Sequence, residues 1–544
     1  MSIFNSVLVK KPERSLFNLK HERKFSADFA WLYPICCIEA VPGDTFKLST
    51  EVLVRCAPLI APIMHRVNVK VNYFFVPCRL VWNKFPDFIT GVNQSATYDP
   101  NNPSGYFTTE VPPFVKFKTS YTQDYLRDGS LADFLGYPTM RSNQSTDADI
   151  NIQIMPFRAY QKIYQDWYRN QNVEGENWSW YGSGEQTSQI YATMQLRKRM
   201  WEKDYFTSAL PFAQRGDPVP LPIVKEGSIV FDKTGRTEVR NVSGTAVSTS
   251  GLKGSSATGQ VGDLVDTASG NTAVNIDNSS NLKIGDGAIG TINDLRIATR
   301  LQRWLEVNAR VGGRYIEQIL GHFGVHSSDA RLQRAEYLGG WSAPIVVSDV
   351  EQTSAYAGTS QGAIATTPQG NLAGKGTAYG NSKPVKCFCE EHGFVIGLLS
   401  ILPRTAYQDG LPRMFQRNYK EDYYFPEFAH LGEQEIKKNE LFYDLTSASN
   451  RTAGEARFGF QERYCEYKYI PSTVHGEFKN NLQFWHLGRS FSAVPALNKS
   501  FVEPDSSPLT RVFAVGSGAN HFYVNLINNV TALRPMPRQA VPTL

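Results

Sequence analysis

The first third of the chain alternates apolar and polar residues with the period of a β-strand. Between Thr45 and Cys56 most even positions are apolar, and Lys47, Ser49, Glu51 and Arg55 alternate with them. From Val67 onward the odd positions carry Val, Tyr or Phe, while Asn and Lys alternate with them as far as Asn72. A period of two is expected of strands with one buried face, and the turn formers between these segments end each strand. The pattern predicts antiparallel strands of a sandwich or barrel.

Helices are predicted at three places. Apolar and aromatic residues recur at helical spacing after Pro156, and proline suits a first turn because the amide that it lacks would be unpaired there. A second helix is predicted to begin at Thr291 and to stop at the Gly312–Gly313 pair. A short third helix is predicted around residues 315–320, ending at Gly321. We expect each to serve packing rather than binding.

Two Gly-rich stretches interrupt these elements. Residues 227–290 contain 37 Gly, Ser, Thr, Ala or Asn residues among 64, and Phe231 is their only aromatic residue. So few large side chains cannot bury much apolar surface, which predicts a surface insertion. It could be a strand-rich projection, particularly if copies from neighbouring subunits pack together, or a flexible linker. Residues 355–381 are predicted to be a second Gly-rich loop, and residues 463–470 a later β-like segment.

The excess positive charge lies at the two ends of the chain. The net charge is +5, yet outside residues 1–24 and 531–544 there are 48 basic and 49 acidic residues. Short basic arms on a near-neutral body suit contact with a polyanion, because each Lys or Arg can displace a counterion from a phosphate; ordinary solvated termini are the alternative. The candidate contact residues are Lys10, Lys11, Arg14, Lys20, Arg23, Lys24, Arg534 and Arg538.

The cysteines predict structural thiols. Seven is an odd number, so a complete set of internal disulfides is impossible, and no C-x-x-C spacing occurs. In a strand, Cys387 and Cys389 would share one face and act as small hydrophobes. A reducing compartment during folding follows. Neither a secretory signal nor an apolar run long enough for a membrane span is recognisable, so no membrane insertion is expected.

No motif favours an enzyme. Residues 370–376 resemble a phosphate-binding loop, but they have three residues between glycines where four are needed, and Gly376 replaces the Ser or Thr that would hold magnesium. His322 and His326 are four residues apart, but they lack the Glu that follows the first His in zinc proteases. We therefore predict no catalytic residue, no cofactor and no metal site.

Six segments in order carry a family resemblance. They are VPGDTF (41–46), YFFVP with RLVW (73–82), IYQDWYRNQ (163–171), DYFTSALP (204–211), DARLQRAEYLGG (329–340) and GLLSILPR (397–404). With these segments the chain resembles the major capsid proteins of the Microviridae, small phages with circular single-stranded DNA, and within them the gokushovirus branch. The insertion at residues 227–290 and parts of the loops lie outside the resemblance.

The resemblance implies a mainly β fold and a structural function. It implies that residues 1–544 form a single eight-stranded antiparallel jelly roll with long loop insertions and a few helices. It further implies an icosahedral shell of sixty copies, or a multiple of sixty, around a single-stranded DNA genome. Residues 227–290 would cluster at threefold axes as a protrusion, which is a candidate for host attachment. The many aromatic residues outside the insertion would serve contacts between subunits as well as the core.

The expected partners follow from that shell. They are further copies of the chain at fivefold, threefold and twofold contacts, the genome, minor virion proteins, an internal scaffolding protein and a host surface receptor. The protein would reside in the virion after assembly in the cytoplasm of a bacterial host. The alternative is a β-sandwich carbohydrate-binding protein or glycan-active enzyme, which would be a monomer or small oligomer. A DNA-binding regulator is disfavoured, because the body is near neutral and lacks a motif for major-groove reading.

Overall fold

The computed structural model describes residues 13–91, 93, 110–117, 125–139, 148–175, 182–186, 190–217, 219, 292–312, 314–351, 353, 356–360, 363–367, 372–445, 447–516 and 519–539, and six short strands between residues 229 and 284. The chain divides into two compact units. One comprises residues 1–213 and 311–544, and the other comprises residues 214–310.

Strands dominate the described chain. In order they are β1 (Ser15–Asn18), β2 (His21–Ala27), β3 (Tyr33–Ala40), β4 (Thr45–Cys56), β5 (Val67–Pro77), β6 (Phe114–Phe117), β7 (Ala148–Gln153), β8 (Ile229–Phe231), β9 (Glu238–Asn241), β10 (Leu252–Gly254), β11 (Leu264–Asp266), β12 (Thr272–Asp277), β13 (Leu282–Ile284), β14 (Glu336–Pro344), β15 (Val346–Glu351), β16 (Tyr356–Ser360), β17 (Ala363–Thr367), β18 (Leu372–Asn381), β19 (Val385–Phe388), β20 (Gly393–Pro403), β21 (Glu433–Lys437), β22 (Arg457–Glu462) and β23 (Phe522–Arg534).

Helices are few and mostly short. They are α1 (Cys78–Val81), α2 (Phe85–Thr90), α3 (Leu131–Leu135), α4 (Met155–Ile163), α5 (Ile190–Met194), α6 (Ile292–Val311), α7 (Tyr315–Phe323), α8 (Ala448–Gly454), α9 (Cys465–Lys468) and α10 (Lys499–Val502). The prediction of a mainly β, antiparallel protein with a few helices is confirmed.

Two antiparallel sheets face each other in the larger unit. The seven-stranded sheet has the order β1, β23, β4, β18, β15, with β2 also paired to β23 and β19 to β4. The four-stranded sheet has the order β14, β5, β20, β3. Side chains from both sheets, such as Phe46 and Leu526 from one and Val69 and Ile401 from the other, form one buried cluster. Each of these side chains stabilises the fold by about 1.5–3 kcal/mol, which makes this β-sandwich the principal core.

The period-two prediction for β4 and β5 is confirmed, and its one polar exception has a structural reason. Thr50 occupies an apolar position of β4 and is fully buried. Its hydroxyl donates to Asn528 Oδ1 at 3.1 Å and also makes a hydrogen bond with the Tyr73 hydroxyl of the facing sheet. Asn528 in turn donates to the carbonyl of Ile35 at 2.8 Å. Buried polar atoms need such partners, and here they connect the two sheets.

A second core covers the other face of the four-stranded sheet. Phe74 and Ile396 point into it and meet Phe157 and Tyr160 of α4. The helix predicted after Pro156 is confirmed, with the proline in its first turn. It continues as a wider turn over Tyr164–Tyr168. The four-stranded sheet is therefore buried on both faces, and every residue of β20 is buried.

The predicted end of the third helix is wrong. We expected Gly321 to end it, but α7 continues to Phe323 and is capped by Gly324, whose φ is 67°. Gly321 lies inside the helix. Its position requires glycine, because a Cβ there would collide with the side chain of Val311. Glycine at this position permits close packing rather than a change of chain direction.

The predicted loop at residues 355–381 is also wrong, because it contains β18, which pairs with β4 and β15. Its glycines fit a crowded sheet. A Cβ at Gly376 would lie 2.5 Å from Cys56 Sγ, and one at Gly380 would collide with the ring of Trp341. The β-like prediction for residues 463–470 fails as well, since α9 lies there.

The smaller unit contains six short strands and a long helix. Strands β10, β11, β12 and β9 form one antiparallel sheet, and β13 pairs with β8. The rest of residues 227–290 lies outside the described chain. The bounds predicted for α6 are confirmed to within a residue. Within α6, Ala298 is buried, whereas Leu295 and Leu301 are exposed.

The tight packing of β18 gives a stability test. We expect Gly380→Ala to lower the free energy of unfolding by about 1–3 kcal/mol, because the new methyl group must displace Trp341. Thermal melting of the purified protein measures the effect. Gly516→Ala is the matched control, since a Cβ there meets no atom within 4 Å. Equal melting temperatures for the two variants would contradict this account of the glycines.

Candidate interaction surfaces

The two basic ends of the chain lie side by side. Strands β1 and β2 pair antiparallel with β23 in one continuous register, from Ser15 opposite Arg534 to Ala27 opposite Phe522. Along residues 15–27 the odd side chains are partly buried and the even side chains are exposed. Position in this register therefore decides which basic residues are available to a partner.

Arg534 faces inward and is held by the protein itself. Its Nη2 donates to the carbonyl of Glu39 at 2.7 Å, and its Nε lies 3.5 Å from Oδ2 of the fully buried Asp44. Its guanidinium also lies over the Phe46 ring, 5.4 Å from the centroid. Nearby, Arg14 Nη2 donates to the carbonyl of Gly43 at 2.9 Å. Both arginines thus brace the turn before β4.

The remaining basic residues of the N-terminal arm lie on opposite faces of their strand. Arg23 is partly buried, and its Nη1 donates to the carbonyl of Phe134 at 2.6 Å. Lys24 is exposed and lies 3.2 Å from Glu22, whose pKa is lowered by hydrogen bonds from Asn525 and Lys24. Lys20 is exposed too.

Three candidates lie at or beyond the described ends. Arg538 is exposed near the C-terminal limit of the described chain, whereas Lys10 and Lys11 lie outside it. The structure thus brings the basic ends together, but it gives Arg23 and Arg534 internal partners. It leaves Lys20, Lys24 and Arg538 exposed.

An aromatic surface that the sequence analysis did not locate lies at residues 413–431, which we call the 413–431 surface. Three short 3-10 turns, Arg413–Phe415, Lys420–Asp422 and Pro426–Phe428, shape it. Phe415 is 65% exposed and Tyr419 is 71% exposed. The sequence signal that could have located this surface is the density of aromatic residues in this short segment. Large exposed aromatic groups are typical of protein interfaces.

The 413–431 surface is anchored from beneath by ion pairs. Arg417 stacks 4.5 Å from the centroid of the Tyr467 ring and lies 3.6 Å from Glu466. Arg413 pairs with Glu466 and with the buried Glu440, at 3.7 and 3.5 Å. These contacts hold the backbone of the surface in place, which lowers the entropy cost of binding a partner.

Helix α7 exposes a second apolar surface. None of its residues is buried, and Tyr315, Leu320 and Phe323 are all exposed. An amphipathic helix normally buries its apolar stripe. Both this helix and the 413–431 surface are therefore candidates for contact with another protein surface.

Two cavities of the described chain do not favour catalysis. A cavity of about 380 Å³ is lined by three histidines, among them His65 and His486, and by no Asp or Glu of the described chain. Burial lowers the pKa of both of these histidines. A second cavity of about 260 Å³ has one carboxylate, Asp166, which already accepts a hydrogen bond from the amide of Ala335 at 2.9 Å. Neither offers the paired carboxylates of a glycan-cleaving site.

Metal sites and membrane-spanning helices are both absent from the described residues. Among the described residues, no group of three or more His, Cys, Asp or Glu side chains could hold a metal ion, and no helix is long and apolar enough to cross a membrane.

All seven cysteines are free thiols. Cys387 and Cys389 are both buried, with their Sγ atoms 3.8 Å apart. Burial raises the pKa of Cys36 to about 11 and that of Cys56 to about 12.

The different environments of the two C-terminal arginines give a second test. We expect Arg534→Ala to destabilise the protein by about 3–5 kcal/mol, because it leaves the buried Asp44 carboxylate without its cation. Chemical denaturation of the purified chain measures the loss. Arg538→Ala removes the same charge from an exposed site and should change stability by less than about 0.5 kcal/mol. A similar loss in both variants would refute the bracing role of Arg534.

Comparison with known proteins agrees with these features. Residues 6–544 match the family model for capsid protein (F protein). Capsid protein VP1 of Bdellovibrio phage phiMH2K is 35% identical, over 97% of this chain and 95% of that protein. The corresponding protein of Chlamydia phage 1 is 33% identical, over 99% and 97%, and that of Spiroplasma virus 4 is 31% identical, over 98% and 95%. The chain therefore belongs to the phage capsid protein (F protein) family, and it is a structural protein of the virion rather than an enzyme.

Proposed function

We propose that sixty copies of this chain, or a multiple of sixty, form an icosahedral shell around a single-stranded DNA genome. The observation that carries the proposal is the 413–431 surface, which exposes several large aromatic side chains on a chain whose family forms capsids. Closed symmetric assemblies reuse the same patches in every subunit, so exposed apolar surfaces such as this one and α7 are covered when neighbours pack.

The proposed subunit fold is an eight-stranded jelly roll. Four strands of the larger sheet, β4, β18, β19 and β23, would face β3, β5, β14 and β20 of the other sheet. Both sets contribute to the same buried cluster, and every pairing among them is antiparallel. Strands β1, β2 and β15 would then be additions at the edges of the larger sheet.

The basic ends of the chain are proposed to contact the genome. Support comes from their adjacency in the sheet and from the exposure of Lys20, Lys24 and Arg538. Lys10, Lys11 and Arg14 are proposed to contact the genome as well. Each phosphate contact releases a counterion and strengthens DNA retention at low salt. Arg23 and Arg534 would contribute chiefly to the positive potential, since each is partly buried and already donates to a backbone carbonyl.

The insertion at residues 227–290 is proposed to protrude at threefold axes and to attach the particle to a host surface receptor. Support comes from its composition, which suits an exposed projection, and from the short strands that it contains. Minor virion proteins and an internal scaffolding protein complete the proposed partners, with assembly in the cytoplasm of a bacterial host.

The shell is tested by sedimentation and electron microscopy of the purified protein together with nucleic acid analysis. We expect megadalton particles with icosahedral symmetry that protect single-stranded DNA from added nuclease. The alternative, a β-sandwich that binds or cleaves glycans, predicts a stable species near 61.0 kDa with affinity for oligosaccharides. That outcome would replace the proposal.

The role of the insertion is tested by its deletion. Residues 228–289 are replaced by a short Gly-Ser linker, and particle assembly and adsorption to host cells are measured separately. Assembled particles that no longer adsorb would support attachment. Particles that adsorb and infect normally would refute it. Loss of assembly would refute a role limited to attachment and would show that the insertion holds subunits together.

A further inference from the structure

The seven-stranded sheet has one face without a covering layer among the described residues. Its inward side chains enter the sandwich core, whereas the opposite face of the four-stranded sheet is covered by α4 and its neighbours. Every second residue of β2, β4, β18 and β23 points to the outward face, and these residues are exposed or partly exposed. We call this surface the bare sheet face. Antiparallel sheets often leave one face to solvent, so the composition of this face, rather than its exposure, indicates a partner.

The bare sheet face is strongly basic. Its outward positions carry Lys20, Lys24, Lys47, Arg55, Lys375 and Lys386, all of them exposed. Two acidic residues, Glu22 and Glu51, share the face. Glu22 is already paired with Lys24 at 3.2 Å, and Glu51 accepts a hydrogen bond from Asn529 at 2.9 Å. Most of the positive charge is therefore available to an anionic partner.

Two of these lysines lie directly opposite each other. In the antiparallel register of β19 and β4, Lys386 pairs with Lys47. Like charges directly opposite on one sheet face destabilise the pairing, since their Cβ atoms lie only about 5 Å apart. Within the described chain, neither ammonium group has a carboxylate in ion-pair range. A bound strand that places a phosphate at each ammonium group would remove this repulsion.

Three aromatic rings interrupt the basic positions. Phe388 follows Lys386 on the same strand face, Tyr523 lies opposite Arg55, and Tyr379 lies two residues from the partner of Arg55 on β18. All three rings are at least half exposed. Exposed rings between cations suit single-stranded nucleic acid, whose bases stack on aromatic faces while its phosphates contact Lys and Arg. Double-stranded nucleic acid hides its bases and would leave these rings without contacts.

We propose that a single strand of nucleic acid lies across the bare sheet face. Its phosphates contact the Lys47–Lys386 pair and Arg55, and its bases stack on Tyr379 and Tyr523. The inference rests on the proposed function, in which the shell encloses single-stranded DNA, and it assigns the genome contact to the sheet itself rather than to the chain ends alone. Lys20 and Lys24 of the N-terminal arm would form one edge of this site.

Photochemical cross-linking tests the location directly. Assembled particles are irradiated, the nucleic acid is digested, and peptides that carry a nucleotide are identified by mass spectrometry. We expect adducts in β18 at Tyr379 and in β23 at Tyr523. Adducts confined to other segments, or cross-links from this face to an acidic protein, would overturn the inference while leaving the enclosed genome intact. Particles without protected single-stranded DNA would overturn the proposed function and the inference with it.

Binding of a fluorescent oligothymidylate to the unassembled full-length chain tests the charges. We expect Lys47→Gln with Lys386→Gln to reduce the slope of log affinity against log salt by about 1.4, since each single-strand phosphate contact contributes about 0.7. The control is Lys420→Gln with Lys468→Gln, which removes equal charge from exposed lysines outside this sheet and should leave the slope unchanged. Equal slopes for the two double variants would overturn the inference.

The aromatic contribution has its own matched pair. Tyr379→Ala should weaken oligothymidylate binding roughly five- to hundred-fold through lost stacking. Tyr419→Ala, on the 413–431 surface, removes an equally exposed tyrosine and should leave binding unchanged. Melting temperatures of all variants establish that they are folded. Equal binding by the two folded tyrosine variants would contradict the stacking contacts.

Discussion

The fold depends on the pairing of β4 with three other strands. β4 forms hydrogen-bonded ladders with β23, β18 and β19, and the side chains at its even positions fill the sandwich core. A slip of one residue would turn Phe46 and Val54 outward and would bring Lys47 and Arg55 into the core. The hydrogen bonds of Thr50 to Tyr73 and Asn528 oppose such a slip, because they form only in this register. One constraint thus fixes both the apolar core and the composition of the bare sheet face.

Elements with a regular period and clear boundaries could be predicted from the sequence. β4, β5, α4 and α6 all follow the spacing of their apolar residues, and the family resemblance covers most of the chain. Glycine was interpreted less well. In β18 and at Gly321 it permits close approach of a neighbouring chain segment, and a sequence does not show which neighbour is present. Local composition therefore predicted a loop and a helix end where tertiary packing had selected the residue.

The candidate residues at the chain ends show the same limit. Charge counting found eight basic residues but treated them alike. Their availability depends on alternation along a strand whose partner lies about five hundred residues away, so that Lys20 and Lys24 face outward while Arg23 faces inward. Lys47 and Lys386 did not stand out in the sequence, because each is a single lysine in a strand. Only the register of β4 with β19 brings them together.

The pairing of β23 with β1, β2 and β4 also constrains how the protein is made. β23 follows all the other described strands in the chain, yet it lies between β4 and the strands β1 and β2. The larger sheet therefore stays incomplete until β23 has left the ribosome, and only then can its core close. Contacts of such long sequence separation form slowly. A nascent subunit thus reaches an assembly-competent shape only after β23 has emerged, so chains that still lack β23 do not associate prematurely with folded subunits.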